Sequence, residues 1–164
     1  MKILHIIPNL NKGGAERLAL DICAAIQKTE DHKIKLVTFS ESNEYADQTS
    51  SIDWEVIPSR YIPSITGKSI LEIDNLASFI TEFEPDIVHS HLWETELVMS
   101  QINTNKAIRF THFHDNIAQL RNIGIPKNKK DLTDSYEKRI ALKSFNKCKH
   151  HFICISNDAL NYAN

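Results

Sequence analysis

The fold is decided by the first twenty residues, which read MKILHIIPNLNKGGAERLAL over positions 1–20. Residues 2–7 form an apolar run rich in β-branched side chains and closed by Pro8, which is typical of a buried strand in a parallel sheet. From Ala15 onward apolar residues recur at helical spacing, so a helix is predicted to begin there and to end before Thr29. A buried strand that turns directly into a helix indicates an alternating strand–helix fold.

The turn between this strand and this helix contains the adjacent glycines Gly13 and Gly14. Glycine has no Cβ and tolerates positive φ, so the backbone can turn sharply and approach a ligand closely. The unpaired N–H groups and the positive dipole end of the following helix then favour an anion. The pair therefore predicts a phosphate site, with a simple tight connection as the alternative. Its spacing matches neither G-x-G-x-x-G nor the Walker loop, which disfavours NAD and ATP.

Length and charge limit the kind of protein. A chain of 164 residues is expected to form a single domain over 1–164. The net charge is −2, yet residues 121–151 hold nine Lys/Arg against three acidic residues, and the rest of the chain is acidic. The basic block suggests an anionic partner, such as a membrane surface or a phosphate-bearing substrate, and a solvated helix face is the alternative.

The cysteines and the amino-terminal sequence indicate in which cellular compartment the protein is expected. Cys23, Cys148 and Cys154 have no metal-type spacing and are expected to be small core residues in a reducing compartment. Neither a secretory signal pattern nor an apolar stretch of membrane-spanning length is present in the sequence. The protein is therefore expected to be cytoplasmic.

Strand and helix patterns alternate along the chain. Strands are predicted at 33–39, 54–57, 86–91, 107–113 and 151–155, helices from 68 until Pro85 and at 95–104 and 132–145, and an irregular loop at 58–67. This alternation predicts an α/β fold, a Rossmann-like parallel sheet with helices on both faces. Ligands of such sheets bind outside the carboxyl ends of the strands. Polar residues just past those ends are therefore expected to converge on one site: Asn9 to Gly14, His91, His114, Asp115, Ser156 and Asn157.

Two His-x-His pairs end neighbouring predicted strands, His89 with His91 and His112 with His114. Alternate residues of a strand share a face, so four imidazoles could meet and bind a metal. Apart from Asp115 no carboxylate accompanies them, and no helical H-E-x-x-H pair is present, so no metal site is predicted.

The histidines are expected to differ in role according to their positions. His89 and His112 lie within strands and are expected to be hydrogen-bonded core residues. His91 and His114 lie at strand ends and are expected to donate to a sugar hydroxyl or a phosphate. The first-strand His5 is expected to be structural, and the others are expected in turns or at the surface: His32, His150 and His151.

Four segments in this order carry a resemblance to a known family: MKILHIIP with NKGGAER, EPDIVHSH, FTHFHD and FICISN. Together they resemble the amino-terminal domain of GT-B glycosyltransferases of family 4. The resemblance implies that Gly13 and Gly14 lie against the donor diphosphate and that His114, the expected catalytic residue, contacts the transferred sugar. The expected substrate-binding residues are Asn11, His91, Asp115 and Ser156.

The resemblance also implies an activity. The chain would be the acceptor-side domain of a retaining, metal-independent glycosyltransferase of the hexosyl type, with a nucleotide-diphosphate sugar as donor and no cofactor. It would act in cell-surface polysaccharide or glycolipid synthesis. The family's second domain, which binds most of the nucleotide sugar, is absent from 1–164, so the chain is expected to be inactive alone. Two alternatives remain open: a stand-alone glycan- or phosphate-binding module, and a metal-dependent hydrolase using His89, His91, His112 and His114.

The basic block predicts a second contact. Arg139, Lys143 and Lys147 follow one another at four-residue steps, so they would form one positive stripe if the predicted helix reaches Lys147. Beside the mouth of the cleft, such a stripe would hold the enzyme against anionic lipid at the inner face of the membrane. No nucleic-acid partner is expected.

Overall fold

A parallel β-sheet forms the centre of the structure. The computed structural model describes residues 1–29, 31–104, 106–114, 118–121, 123–156 and 160. Within these ranges, six of the strands form one sheet and two short strands form a separate pair. The elements in chain order are β1 (Lys2–Ile7), α1 (Gly14–Gln27), β2 (Lys33–Thr38), α2 (Ala46–Thr49), β3 (Trp54–Val56), β4 (Arg60–Ile62), β5 (Ile70–Glu72), α3 (Asp74–Phe83), β6 (Ile87–His91), α4 (Trp93–Met99), β7 (Ile108–Phe113), a 3₁₀ turn (Ala118–Leu120), α5 (Lys129–Phe145) and β8 (His150–Cys154).

The order of strands across the large sheet is β3-β2-β1-β6-β7-β8, and all neighbours are parallel. The chain moves outward from β1 in one direction through β2 and β3, and in the other direction through β6, β7 and β8. The connections that follow β1 and β6 therefore part at the carboxyl edge, and this switch point is where open α/β sheets bind ligands. The predicted Rossmann-like fold class is confirmed.

Strand β1 is buried on both faces, which explains its continuous apolar run. Leu4 and Ile6 are fully buried in a cluster with side chains of β2, β6, α3 and α4. Ile3 and Ile7 pack on the opposite face, in a cluster formed with α1 and β2. Helices therefore cover both faces of the sheet, as predicted. Cys23 belongs to the second cluster as expected, whereas the other two thiols are only half-buried.

The helix predicted from residue 68 is wrong in its first part. The helix begins at Asp74, and Ile70–Glu72 is instead a strand that pairs antiparallel with Arg60–Ile62, inside the predicted loop. Ile70 and Leu71 are 40% and 52% exposed, while the buried residues of α3 begin at Leu76. The helical spacing of apolar residues wrongly assigned these two exposed residues to the helix. Their backbone groups are instead satisfied by pairing with a strand about ten residues earlier in the chain.

The predicted basic stripe is not continuous. Helix α5 begins at Lys129, where the Asn128 side chain caps it by accepting a hydrogen bond from the Asp131 N–H, and ends at Phe145. Lys147 therefore lies beyond the helix, near the amino edge of the sheet, because α5 leads from the end of β7 back to the start of β8. The prediction that all three bases form one stripe beside the cleft mouth is wrong.

Partners inside the protein also reduce the free charge of the basic block. Arg121 binds Asp131 at 2.6 Å and Asp134 at 3.4 Å, and Lys130 binds Asp134 at 2.6 Å. Lys138 donates to the carbonyl oxygen of Leu120 at 2.8 Å. Arg121 and Lys138 fasten α5 to the segment before it, whereas the Lys130–Asp134 pair lies within the helix. Within the ranges that the structure describes, no helix is long and apolar enough to cross a membrane.

Candidate functional site

The glycine turn does not use the backbone freedom that the sequence suggested. None of the glycines within the described ranges has positive φ, and Gly13 is extended with φ −164°. The missing side chain matters instead at Gly13, where a Cβ would collide with the carboxylate of Glu16. A Cβ at Gly14 would meet nothing within 4 Å. Neither position therefore requires glycine for its φ, and a side chain at Gly13 would require only that the flexible end of Glu16 shift.

Glu16 lies at the amino end of α1 and is 9% exposed. An acidic side chain in the first turn of a helix is stabilised by the positive end of the helix dipole. The carboxylate therefore already occupies part of the surroundings that were predicted to hold a phosphate. A bound diphosphate would have to displace Glu16 or lie beside it.

Tyr45 holds the glycine turn in place. Its hydroxyl accepts a hydrogen bond from the Gly13 N–H at 3.1 Å and donates to the Gly13 carbonyl oxygen at 2.9 Å. The predicted Asn11 is exposed, and its side-chain oxygen accepts a hydrogen bond from Ser42 at 2.5 Å. Sequence reasoning missed Tyr45, because it lies in a polar stretch without a motif and reaches Gly13 only through folding. The N–H groups left to face a ligand are therefore those that follow Gly13.

The histidines meet on one face of the sheet. His5 of β1 is opposite His89 of β6, and His91 of β6 is opposite His112 of β7. A hydrogen bond of 3.2 Å joins His5 Nδ1 to His91 Nε2, and one of 3.0 Å joins His91 Nδ1 to His114 Nε2. Four of these imidazoles were expected to converge. His5 also belongs to the group. Its position in the neighbouring strand β1, two residues before the strand ends, could have indicated this.

Burial keeps these imidazoles neutral at pH 7. The pKa of His5 falls to about 4 through burial and then through His112, and that of His89 falls to about 2 through burial and its histidine neighbours. Burial likewise lowers the pKa of His114 to about 4 and that of His91 well below its usual range. Neutral imidazoles both donate and accept hydrogen bonds, and they can ligate metals.

Within this histidine group two buried nitrogens lack a partner in the described part of the chain, His89 Nε2 and His112 Nδ1, and outside the group His32 Nδ1 and His150 Nδ1 lack one as well. The side chains of His89 and His112 are buried as predicted, at 8% and 5% exposure. The prediction that they are fully hydrogen-bonded core residues is wrong for these atoms. A buried polar atom without a partner is costly, so it points to a role beyond packing.

The opposite face of the same strands carries an ion pair. Arg109 Nη2 of β7 lies 3.1 Å from Glu96 Oε2 of α4, and each side chain is 1% exposed. Arg109 Nη1 also donates to Ser144 of α5 at 2.9 Å, and Ser90 of β6 donates to Glu96. Burial raises the pKa of Glu96, while Arg109 opposes that shift. The network fixes α4, which follows His91, against the sheet.

His150 and Leu92 complete the surroundings. His150 was predicted in a turn or at the surface, but it lies in β8 and shares a hydrogen bond of 2.6 Å with Thr111 Oγ1. Leu92 directly follows His91 and has φ 69°, a conformation that costs about 1–3 kcal/mol for a non-glycine residue. It packs against the buried cluster formed by β1, α1 and β2.

The remaining predicted residues lie apart or outside the described ranges. Ser156 follows β8 and lines a cavity of about 490 Å³ with Cys154 and Leu160, with β7 between it and the strand of His91. Asp115 and Asn157 fall outside the described residues, so their roles stay predictions. A larger cavity of about 900 Å³ lies at the amino edge, beside Lys2, Asp86 and Ala107, and includes no predicted site residue.

A parallel sheet whose strand order reverses between β1 and β6, with the glycine turn and the histidines both at the ends of strands along its carboxyl edge, defines the class as a Rossmann-like domain. Residues 12–164 match the family described as Glycosyltransferase Family 4, so the chain belongs to glycosyltransferase family 4.

The fold is similar to that of a solved structure, Anabaena Alr3699/HepE in complex with UDP and glucose, with a TM-score of 0.66 and 17% identity. The match covers 99% of this chain and 40% of that chain, so the present chain spans less than half of its neighbour's length. At this identity the likeness shows the fold alone. No curated protein matches the chain.

Proposed function

We propose that these residues form the acceptor-side domain of a sugar-nucleotide-dependent glycosyltransferase, retaining and of the hexosyl type. The observation that carries the proposal is that the glycine turn after β1 and the His91–His114 pair of β6 and β7 lie at the ends of neighbouring strands, at the same carboxyl edge of a family 4 domain. The UDP and glucose bound to the neighbour Alr3699/HepE support a nucleotide-diphosphate sugar as donor. For the transfer itself we propose no cofactor beyond this donor substrate.

Transfer breaks the bond between the anomeric carbon and the diphosphate oxygen, and the acceptor hydroxyl forms the new bond. Negative charge therefore grows on the leaving diphosphate. The free N–H groups of the first turn of α1, beginning at Gly14, would stabilise that charge once the Glu16 carboxylate has turned aside. Tyr45 would keep the turn rigid, so little reorganisation is needed at the moment of reaction.

His114 would contact the sugar. Its Nε2 shares a hydrogen bond of 3.0 Å with His91 Nδ1, and His91 shares another with His5. These hydrogen bonds orient the His114 ring from the interior of the protein. We assign the sugar hydroxyl to His114 Nδ1, at the edge where the side chain is half-buried. Because its pKa is lowered to about 4, His114 would act as a neutral hydrogen-bonding group, not as a cation.

The remaining proposals concern a second domain, the cellular location and contact with the membrane. Catalysis is proposed to need a donor-binding domain in addition to residues 1–164, in a cytoplasmic enzyme of polysaccharide or glycolipid synthesis that approaches the membrane. Arg139 and Lys143 are exposed on α5 and would contact anionic lipid weakly. Co-sedimentation with anionic vesicles should fall at high salt and in an R139E/K143E variant. Binding unaffected by both changes would contradict this contact.

The proposed function is tested by transfer assays on the longest natural chain that contains these residues. Radiolabelled UDP-, GDP- and ADP-hexoses are supplied with a lipid extract, and His114→Ala is compared with His151→Ala, an exposed histidine of β8. His114→Ala should lower turnover at least about 100-fold with an unchanged melting temperature, whereas the control should be active. Equal activity of both variants would contradict the role of His114. Donor binding without any transfer would instead favour a binding module, and family membership is the reason a hydrolase is not proposed.

A further inference from the structure

The outer histidines form a group that the proposed transfer does not require as a group. One nitrogen from each of His91, His112 and His114 lies within 4.8 Å of the other two. The closest measured pair, His91 Nδ1 and His114 Nε2, is 3.0 Å apart. A tetrahedral zinc ion with Zn–N bonds of about 2.0–2.1 Å keeps its nitrogen ligands roughly 3.3 Å apart. The rings of His112 and His114 stack with their centroids 4.3 Å apart, so these side chains would have to rotate out of the stack to direct all three nitrogens at one ion.

The backbone explains why the three rings meet. His91 and His112 are opposite each other in the register of β6 and β7. His114 follows two residues after His112, so it returns to the same face at the edge of the sheet. Two ligands thus stand on rigid strands, and the third is half-buried at the open edge, where an ion can enter.

His112 supplies an independent sign of a missing partner. Its side chain is 5% exposed, and its Nδ1 has no hydrogen-bond partner within the described residues. A cation coordinated there would satisfy that nitrogen. The hydrogen bond between His91 and His114 is the arrangement that two neutral imidazoles adopt at this distance without an ion.

We propose that His91, His112 and His114 bind a divalent transition-metal ion, with its fourth position open toward the carboxyl edge. A ligand set made only of imidazole nitrogens suits Zn²⁺, Co²⁺, Ni²⁺ or Cu²⁺ and does not suit Mg²⁺ or Ca²⁺, which prefer oxygen. A deeper group, His5, His89 and His91, has a similar arrangement. It is fully buried behind the outer group, so the outer group is the accessible one. The proposal does not depend on the proposed function.

Metal-free protein titrated with Zn²⁺ and Co²⁺ tests the proposal. We expect one ion per chain by equilibrium dialysis, visible absorption from tetrahedral Co²⁺, and a higher melting temperature with Zn²⁺ but not with Mg²⁺. His114→Ala should weaken Zn²⁺ binding at least about 100-fold, since even outer-shell changes at metal sites cost 10–100-fold. Absence of binding below about 1 mM Zn²⁺ would overturn the proposal.

Matched variants decide which histidines hold the ion. His151→Ala removes an exposed histidine of β8 outside the group and should leave binding unchanged. His89→Gln, in the deeper group, should also retain binding. If His89→Gln abolishes binding while His114→Ala retains it, the assignment to the outer group is wrong. Circular dichroism and the melting temperature of the metal-free protein establish whether each variant folds. If His89→Gln does not fold, the loss of Zn²⁺ binding in His114→Ala alone tests the assignment to the outer group.

Discussion

The two faces of β6 and β7 both bury polar side chains, but these side chains differ in charge and in how many of their atoms have hydrogen-bond partners. On one face, Arg109, Glu96, Ser90 and Ser144 form a charged network with contacts between neighbours, in which Arg109 Nε is the unpaired exception. On the other face the imidazoles are neutral, and two of their nitrogens lack partners within the described chain. The charged network is satisfied by the protein at most of its atoms and holds the fold together. Of the unpaired groups, which also include Thr95 Oγ1 and His150 Nδ1, only those beside the open carboxyl edge are placed to meet a ligand.

The largest expected effect comes from breaking the ion pair. Arg109→Met should lower the free energy of unfolding by about 3–5 kcal/mol, because it leaves the Glu96 carboxylate buried without its partner. Urea denaturation at pH 7.5 measures it. As a control, Arg17→Met breaks the exposed pair with Asp21 and should cost about 0.5 kcal/mol or less.

A double variant sharpens this result. Arg109→Met combined with Glu96→Leu removes both charges and should recover a large part of the lost stability. If the double variant is as unstable as the sum of the two single variants, the pair is not coupled and the network is not what fixes α4.

The sequence predicted the charged network least well and the first strand–turn–helix best. The run 2–7 is apolar on both faces and the helix after it is strongly periodic, so local pattern and tertiary burial agree there. Arg109 could have been noticed as a charge inside an apolar strand, but its partner Glu96 lies on a helix whose position depends on the whole sheet. The same reason hid Tyr45 and the pairing of Ile70–Glu72.

The position of the histidines at the carboxyl edge could be predicted from the sequence, but their side-chain contacts could not. Both His-x-His pairs end neighbouring predicted strands, so their approach at one edge could be anticipated once the strands were recognised, whereas the register that places His91 opposite His112 is seen only in the structure. The unpaired nitrogens and the Glu16 carboxylate beside Gly13 could not be predicted, because side-chain rotation decides them and no sequence pattern encodes it.

The second expected effect is acid destabilisation through the histidine face. In the unfolded chain these histidines bind protons near pH 6.5, while in the folded protein His5 does so only near pH 4 and His89 near pH 2. The unfolded state therefore gains protons first as pH falls, so stability is complete above about pH 6.5 and decreases below it. Between pH 7.5 and 5.5 His5 and His89 together should lose about 3 kcal/mol, about 1.4 for each, and the other histidines of this face with lowered pKa values add to the loss.

Denaturation of metal-free protein at both pH values measures this loss. The His5→Gln variant should lose about 1.4 kcal/mol less stability than the wild type over the same interval. A stability that is constant or that rises between pH 7.5 and 5.5 would show that the imidazoles are not held neutral by burial.

The smallest expected effect compares adjacent residues that face opposite sides of β6, His89 and Ser90. His89→Leu replaces a ring bearing an unpaired nitrogen with an apolar side chain of similar size, so at pH 7.5 the free energy of unfolding should rise by up to about 1 kcal/mol. Ser90→Ala removes the hydroxyl that contacts Glu96 and the Phe110 carbonyl oxygen, so it should cost about 1 kcal/mol. The opposite signs are the informative result, because both residues are buried in the same strand. If His89→Leu is as destabilising as Ser90→Ala, the imidazole is part of the structural framework and the distinction between the two faces fails.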